Sequence, residues 1–258
     1  MSRIRKAFEG GKAFIPFVTC GDPDLETTER IVKSMAAAGA DVIELGIPFS
    51  DPVAEGPVIQ AANVRALSGG VTTDKILDMT ARIRGDIDVP LVFMTYANVL
   101  FSYGTERFLK RARDAGIGGV ILPDVPFEEK AEFAPLCRKY GIDFISLVAP
   151  TSKERIEMIA REAESFLYCV SSLGVTGERS RITSNISEMT ALAKKVSDIP
   201  AAVGFGISTP AQAREMAALS DGVIVGSAIV RLIGEYGRDS EKHVYEYVKS
   251  MKEAIKNI

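Results

Sequence analysis

Eight short, mainly apolar runs, none of them alternating and each followed by a stretch of helical periodicity, constrain this chain more than any other feature. They are Phe14 to Thr19, Asp41 to Leu45, Leu91 to Thr95, Gly119 to Leu122, Phe144 to Val148, Phe166 to Val170, Ala201 to Val203 and Gly222 to Val225. A strand with one wet face alternates polar and apolar residues, whereas uninterrupted apolar runs suit strands buried on both faces. Eight strand-then-helix units predict an α/β fold in which a parallel sheet closes into a single (β/α)₈ TIM barrel. The 258 residues fit that architecture, which usually takes about 250. A doubly wound open sheet is the alternative, but the first turn, Cys20-Gly21-Asp22-Pro23, lacks the Gly-rich dinucleotide turn it often carries. No linker or low-complexity segment divides the chain, so residues 1–258 are expected to form one domain.

Between the strands, Thr151 with Glu154, Asn185 with Glu188, and Thr209 with Pro210 and Gln212 resemble helix N-cap and first-turn chemistry. Two longer loops, Pro48 to Gly56 and Gly174 to Asn185, follow strands and so fall on the C-terminal face of a barrel, where active sites and lids are built.

Composition removes several function classes. With 47% apolar and 25% charged residues the chain can fill a large core, and a net charge of −3 offers no broad positive field for nucleic acid or an anionic membrane. The odd, widely spaced cysteines Cys20, Cys137 and Cys169 read as buried thiols in a reducing cytoplasm. The N-terminal basic residues Arg3, Arg5 and Lys6 precede an apolar run too short, and too soon broken by Pro16, for a secretory signal. No stretch is long enough for a membrane helix.

The only histidine, His243, lies in a C-terminal helical segment, so neither a His-based metal site nor a Ser-His-Asp triad can be assembled. The strands hold no lysine for a Schiff base. Carboxylate chemistry remains. Glu44 lies inside the second strand, Val42-Ile43-Glu44-Leu45-Gly46, where burial raises a carboxyl pKa toward the range of a general acid. Glu55 follows in the next loop, and Asp124, in Leu122-Pro123-Asp124-Val125-Pro126, is a strand-end rival that position alone does not rank below it. A satisfied structural carboxylate is the competing reading for Glu44. A second signal is Gly204-Phe205-Gly206-Ile207-Ser208 after the seventh strand with Gly226-Ser227 after the eighth, opening a helix at Ala228. Glycine lets backbone approach an anion and a helix start presents free N–H groups, so the pair predicts a cradle for a phosphorylated small molecule.

The run from Glu44 to Gln60, Glu-Leu-Gly-Ile-Pro-Phe-Ser-Asp-Pro-Val-Ala-Glu-Gly-Pro-Val-Ile-Gln, closely resembles the signature of the tryptophan synthase alpha subunit family. Phe17-Val18-Thr19-Cys20-Gly21-Asp22-Pro23, Met94-Thr95-Tyr96-Ala97-Asn98, Pro123-Asp124-Val125-Pro126, Gly174-Val175-Thr176-Gly177, Gly204-Phe205-Gly206-Ile207 and Gly226-Ser227-Ala228 match in the family's order. The resemblance implies a TIM barrel of the ribulose-phosphate-binding type and a lyase of tryptophan biosynthesis that splits indole-3-glycerol phosphate into indole and glyceraldehyde 3-phosphate. It implies Glu44 as the main acid and base and Glu55 as the second catalytic carboxylate. The family most often has Asp at the latter place, and the extra methylene moves the carboxylate by about 1 Å, enough to matter for a positioned group.

By the same resemblance, Phe17, Ile59, Met94, Tyr96, Ile121, Tyr168, Thr176 and Phe205 line the indole pocket, and Gly177, Gly206, Gly226 and Ser227 bind phosphate. No cofactor or metal is implied for this chain; pyridoxal phosphate belongs to a beta subunit, with which an α₂β₂ tetramer is expected. Asp51, Pro52, Asn98, Phe101, Asp124 and Phe133 match positions that face that partner, and the loop Gly174 to Arg181 is expected to close over the site. Two rival readings stand beside this one: a related phosphate-binding barrel such as phosphoribosylanthranilate isomerase, which would lack the Glu44-to-Gln60 run, and a non-catalytic regulator of a beta subunit, against which an intact Glu44 argues.

Overall fold

A computed structural model describes residues 2–170, 179–204 and 206–258, with the backbone alone at 179–184. All its strands are parallel. They are β1 (Ala13–Thr19), β2 (Ile43–Gly46), β3 (Leu91–Met94), β4 (Ile117–Ile121), β5 (Asp143–Phe144), β6 (Leu147–Val148), β7 (Leu167–Val170), β8 (Ala201–Gly204) and β9 (Gly222–Val225). Their order is β5-β4-β3-β2-β1-β9-β8-β7-β6. The two end strands are consecutive in the chain, joined by Ile145 and Ser146. The Ile145 N–H donates to the Val120 carbonyl of β4 at 3.0 Å, and the Tyr168 N–H of β7 donates to the Ser146 carbonyl at 3.0 Å. The sheet therefore closes on itself, and the expected fifth strand, Phe144 to Val148, is present as two halves that pair to opposite sides. The (β/α)₈ expectation holds.

Alternation along the strands sorts the apolar residues into two cores, as a barrel demands. Ala13, Ile15, Val42, Val92, Ile121, Ile145, Phe166, Ala202 and Ile224 fill the interior. Their chain neighbours, among them Phe14, Ile43, Leu45, Phe93, Val120, Leu167 and Val223, face the surrounding helices in a larger outer core. The interior is plugged from the N-terminal end by the helix Arg3–Lys6, whose buried Ile4 joins the interior cluster with Ala7 and Phe8. The N-terminal basic residues expected to be no signal are structural: Arg3 pairs with Asp88 and Arg5 with Asp198. At the other end of the chain, the helix Ser240–Ile255 packs on the helix Leu25–Ala37, and Lys252 Nζ reaches Asp41 Oδ2 at 2.7 Å.

Helix starts follow the sequence unevenly. Thr209 and Gln212 form a full capping box. The expected cap at Thr151 is displaced by one residue: Ser152 accepts from the Arg155 N–H, and either hydroxyl was chemically competent. The expected start at Asn185 is wrong, because the helix Arg179–Val196 runs through it, and its buried residues Ile186, Met189, Leu192 and Ala193 continue the pattern of a packed face. The Gly174 to Asn185 segment is thus helical from Arg179 onward. His243 stands near the start of the last helix, exposed and stacked on Tyr236 at 3.6 Å. The three cysteines are free and buried, and burial holds their thiols well above the ordinary range.

Interior packing generates a test. A Cβ at Gly119 would lie 2.8 Å from Val92 Cγ1 and 2.9 Å from both Ile145 Cδ1 and Ile4 Cδ1. Gly119→Ala is expected to cost about 1–3 kcal/mol through overpacking, read as a lower urea midpoint at unchanged slope. An unchanged midpoint would show that the interior yields.

Candidate active site

Glu44 is the second residue of β2, in register with Phe17 of β1 and Val92 of β3. Val42 two residues earlier fills the interior, so the Glu44 side chain points into the same barrel one layer nearer the C-terminal mouth. It is 1% exposed, and neither carboxylate oxygen has a hydrogen-bond partner among the described residues. Burial alone raises its pKa from 4.5 to about 8, so it is held as the neutral acid at neutral pH. A satisfied structural carboxylate would show partners, and among the described residues this one has none. Tyr168 of β7 is close enough for the Glu44 charge to add to the burial that pushes the phenol well above its usual range.

Glu55 occupies a different environment. It precedes the helix Pro57–Ser68 and is half-buried. Burial raises its pKa, while hydrogen bonds from the Asn63 amide and the Tyr96 hydroxyl act against that rise. Asn63 Nδ2 donates to Glu55 Oε2 at 2.7 Å. Tyr96, which follows β3, is buried, accepts from the Ala54 N–H at 3.1 Å, and packs its ring 5.2 Å from that of Phe49. Burial first, and then the Glu55 charge, push the phenol up to about 12, so it stays protonated as a donor. Asn63 was not singled out by sequence reasoning; an amide within the buried stripe Ile59, Ala62, Asn63 and Ala66 was the one available signal.

The other expected residues are distributed around these two. Phe17, Ile59, Ala62 and Val230 form one cluster at the mouth, with Met94 packed against it. Ile121 is fully buried in the interior layer, in the cluster that Met94 and Tyr168 join. The aromatic rings require glycine beside them: a Cβ at Gly46 would meet Phe17 Cζ at 2.5 Å, and one at Gly204 would meet Tyr168 Oη at 2.6 Å. Gly204 thus has a packing role that the Gly-x-Gly spacing did not reveal. Gly206 adopts φ +77°, which favours glycine. Gly226 caps the helix Ser227–Tyr236, one residue earlier than expected, and the first N–H groups of that helix have no intrahelical acceptor. Thr176, Gly177, Phe205 and the loop from Gly174 to 178 lie outside the described residues.

Asp124, the strand-end rival, is exposed, and both its oxygens lie 3.1 Å from the Ala97 N–H at the start of the helix Ala97–Tyr103. That is a helix-capping role. Of the expected partner-facing residues, Asp51 and Asn98 are exposed and Phe101 is 49% exposed. Phe133 is not: it is 2% exposed beneath Phe101, ring centroids 5.2 Å apart, because the Phe127–Glu132 turn folds it inward. Among the described residues there is no His, Cys, Asp and Glu cluster able to hold a metal ion, and no helix is long and apolar enough to cross a membrane.

Fold and site together define a (β/α)₈-barrel protein with two carboxyl groups of unlike environment at the C-terminal mouth. The tryptophan synthase alpha chain family matches residues 4–257. The tryptophan synthase alpha chain of Lacticaseibacillus casei is 46% identical over 255 residues, covering 99% of this chain and 96% of that one. The Caldanaerobacter subterraneus subsp. tengcongensis alpha chain is 48% identical over 262 residues, covering 99% and 100%. Among solved structures, tryptophan synthase subunit alpha from Legionella pneumophila superposes with a TM-score of 0.91 at 38% identity over 100% of both chains. A chain of the tryptophan synthase complex from Pyrococcus furiosus gives 0.84 at 33%, covering 93% and 98%. The chain belongs to the tryptophan synthase alpha chain family and is an enzyme subunit.

The Glu44 environment makes a stability prediction. Its folded pKa lies above the unfolded value, so the folded state retains a proton that the unfolded state loses, and stability falls as pH rises from 4.5 to about 8. Glu44→Gln does not titrate, so its melting temperature is expected to exceed the wild-type value by a margin that widens between pH 5 and pH 8. A margin independent of pH would show that Glu44 is solvated.

Proposed function

We propose that this chain is the alpha subunit of a tryptophan synthase and that it cleaves indole-3-glycerol phosphate to indole and glyceraldehyde 3-phosphate. The observation that carries the mechanism is the buried carboxyl of Glu44, which has no hydrogen-bond partner among the described residues. A neutral acid in an apolar pocket, with no competing hydrogen bond, is poised to protonate a carbon. Glu44 gives its proton to indole C3, which converts the ring to an indolenine cation. The resulting carboxylate takes the proton of the hydroxyl on the adjoining side-chain carbon. The carbon–carbon bond then breaks, its electron pair restores the indole, and the hydroxyl carbon leaves as the aldehyde. Glu44 ends protonated, so the cycle closes without a cofactor. Glu55, nearer to its ionised form through two donors, accepts the indole N–H and balances the ring's positive charge.

Phe17, Ile59, Met94, Tyr96, Ile121 and Tyr168, with Thr176 and Phe205, would enclose the flat ring. Gly177, Gly206, Gly226 and Ser227 would hold the phosphate on backbone amides and a helix start. The partner would be a beta subunit that owns the pyridoxal phosphate and receives indole in an α₂β₂ assembly, with Asp51, Pro52, Asn98, Phe101 and Asp124 facing it and Phe133 acting through Phe101. The buried free thiols favour the cytoplasm as its compartment. Closure of the loop Gly174 to Arg181 would exclude water.

Loss of a general acid typically costs a factor of about 10²–10⁴. Glu44→Gln is therefore expected to lower indole release by at least about 100-fold, both alone and with a beta subunit added, while thermal unfolding stays cooperative. Near-normal release by the folded variant would overturn the assignment.

A further inference from the structure

Resting on that reading, we infer that Asn63 is a positioning residue: its amide, 2.7 Å from Glu55 Oε2, fixes the carboxylate of a loop to a rigid helix. Asn63 is 4% exposed and lies on the packed face of the helix Pro57–Ser68 with Ile59, Ala62 and Ala66. Packing alone calls for an apolar residue there, since a buried amide costs free energy unless it is hydrogen-bonded. The helix itself is held firmly. Ile59 and Ala62 pack with Phe17 and Val230, and Arg65 makes a two-point pair with the buried Asp22 carboxylate at 2.8 and 2.7 Å. Glu55, by contrast, sits in the segment 48–56, in which Asp51, Val53, Ala54 and Gly56 are exposed. Gln60 of the same helix donates to the Glu55 carbonyl at 2.8 Å, so backbone and side chain of Glu55 are both tied to it.

The two side chains are matched in length. Glu55 reaches Asn63 with two methylenes and Asn63 replies with one. Asp in place of Glu55 would pull the carboxylate back by about 1 Å, beyond a good hydrogen bond. Moving the methylene to the other partner, by Asn63→Gln, restores the reach. The titratable groups facing the carboxylate are Tyr96, from the end of β3, and, through Tyr96, Asp124 after β4. The Tyr96 donor remains when the Asn63 amide is removed, so any change isolates that amide. Loss of a donor to the charged form raises the Glu55 pKa and moves the acid limb of activity to higher pH.

The experiment uses the full chain with its beta subunit for turnover and ¹³C-carboxyl-labelled glutamate for titration, with the Glu55 signal assigned through Glu55→Gln. In Asn63→Ala the Glu55 titration and the acid limb of kcat are both expected to rise by about one pH unit, with kcat about tenfold lower and KM changed far less. Asn63→Gln with Glu55→Asp is expected to recover much of what Glu55→Asp alone loses. A Glu55 titration unmoved by Asn63→Ala, or, if that variant does not fold, a double variant no better than Glu55→Asp, overturns the inference. Full activity of Glu55→Gln, with the titration still moved by Asn63→Ala, overturns instead the catalytic reading of Glu55.

Discussion

Burial of one carboxyl group inside a barrel is the constraint around which this structure is organised. Ionising it there without partners would cost several kcal/mol, so the group is kept neutral and the acid survives to neutral pH. That state requires a dry interior. Ile15, Val42, Val92, Ile121 and Ile224 supply it below Glu44, and Ile4 with Phe8 closes the N-terminal end. Hydrogen-bonding satisfaction for this group can therefore come only from the mouth side. The fold carries an unsatisfied polar group as a standing cost, as functional sites often do.

Glu55 shows the same chemistry with a counterweight: burial raises its pKa as well, but hydrogen bonds from Asn63 and Tyr96 oppose the rise. It follows Glu44 by only one loop, yet two donors reach it where, among the described residues, none reaches Glu44. Tyr96 is the hinge of this difference. Its hydroxyl accepts from the Ala54 backbone and lies against Glu55, and its ring meets Phe49, so one side chain pins the segment from 49 to 55 at both ends. Two carboxyl groups separated by environment rather than by residue type are the arrangement in which one stays an acid while the other is a charge.

Much of this was legible in the sequence, and the exceptions have physical causes. Strands buried on both faces write themselves as mainly apolar runs without alternation, which is why all eight were visible. The break at Ile145 and Ser146 was not, because it reflects hydrogen bonds to Val120 and Tyr168, distant in sequence. Thr151 and Ser152 are adjacent hydroxyls with equal capping chemistry, and only the backbone chose between them. Asn185 looked like a cap because Asn favours one, but burial of Ile186 and Met189 continued the helix past that local preference. The burial of Phe133 under Phe101 was not visible either, because it depends on a ring contact across a turn and 32 residues of sequence. Asn63 was hidden for the opposite reason: an amide at a core position carries meaning only once Glu55 is seen against it.

The two sides of the mouth are also one mechanical unit. Phe17 of β1 packs with Ile59 of the helix that holds Glu55 and with Val230 of the helix that begins at Ser227. Arg65, paired with Asp22 after β1, lies against Gly234 of that second helix, where a Cβ would come within 3.1 Å of its guanidinium. The proposed phosphate anchor, the Glu55 helix and the strand neighbouring Glu44 thus share contacts through β1. In a substrate whose reacting carbon and phosphate are only a few bonds apart, positioning is worth several kcal/mol only if both ends are held to a fraction of an ångström. A frame knitted through one strand and one ion pair supplies that rigidity, and it leaves the exposed loop after β2 free to differ in length of side chain, as Glu55 does, provided the helix behind it answers.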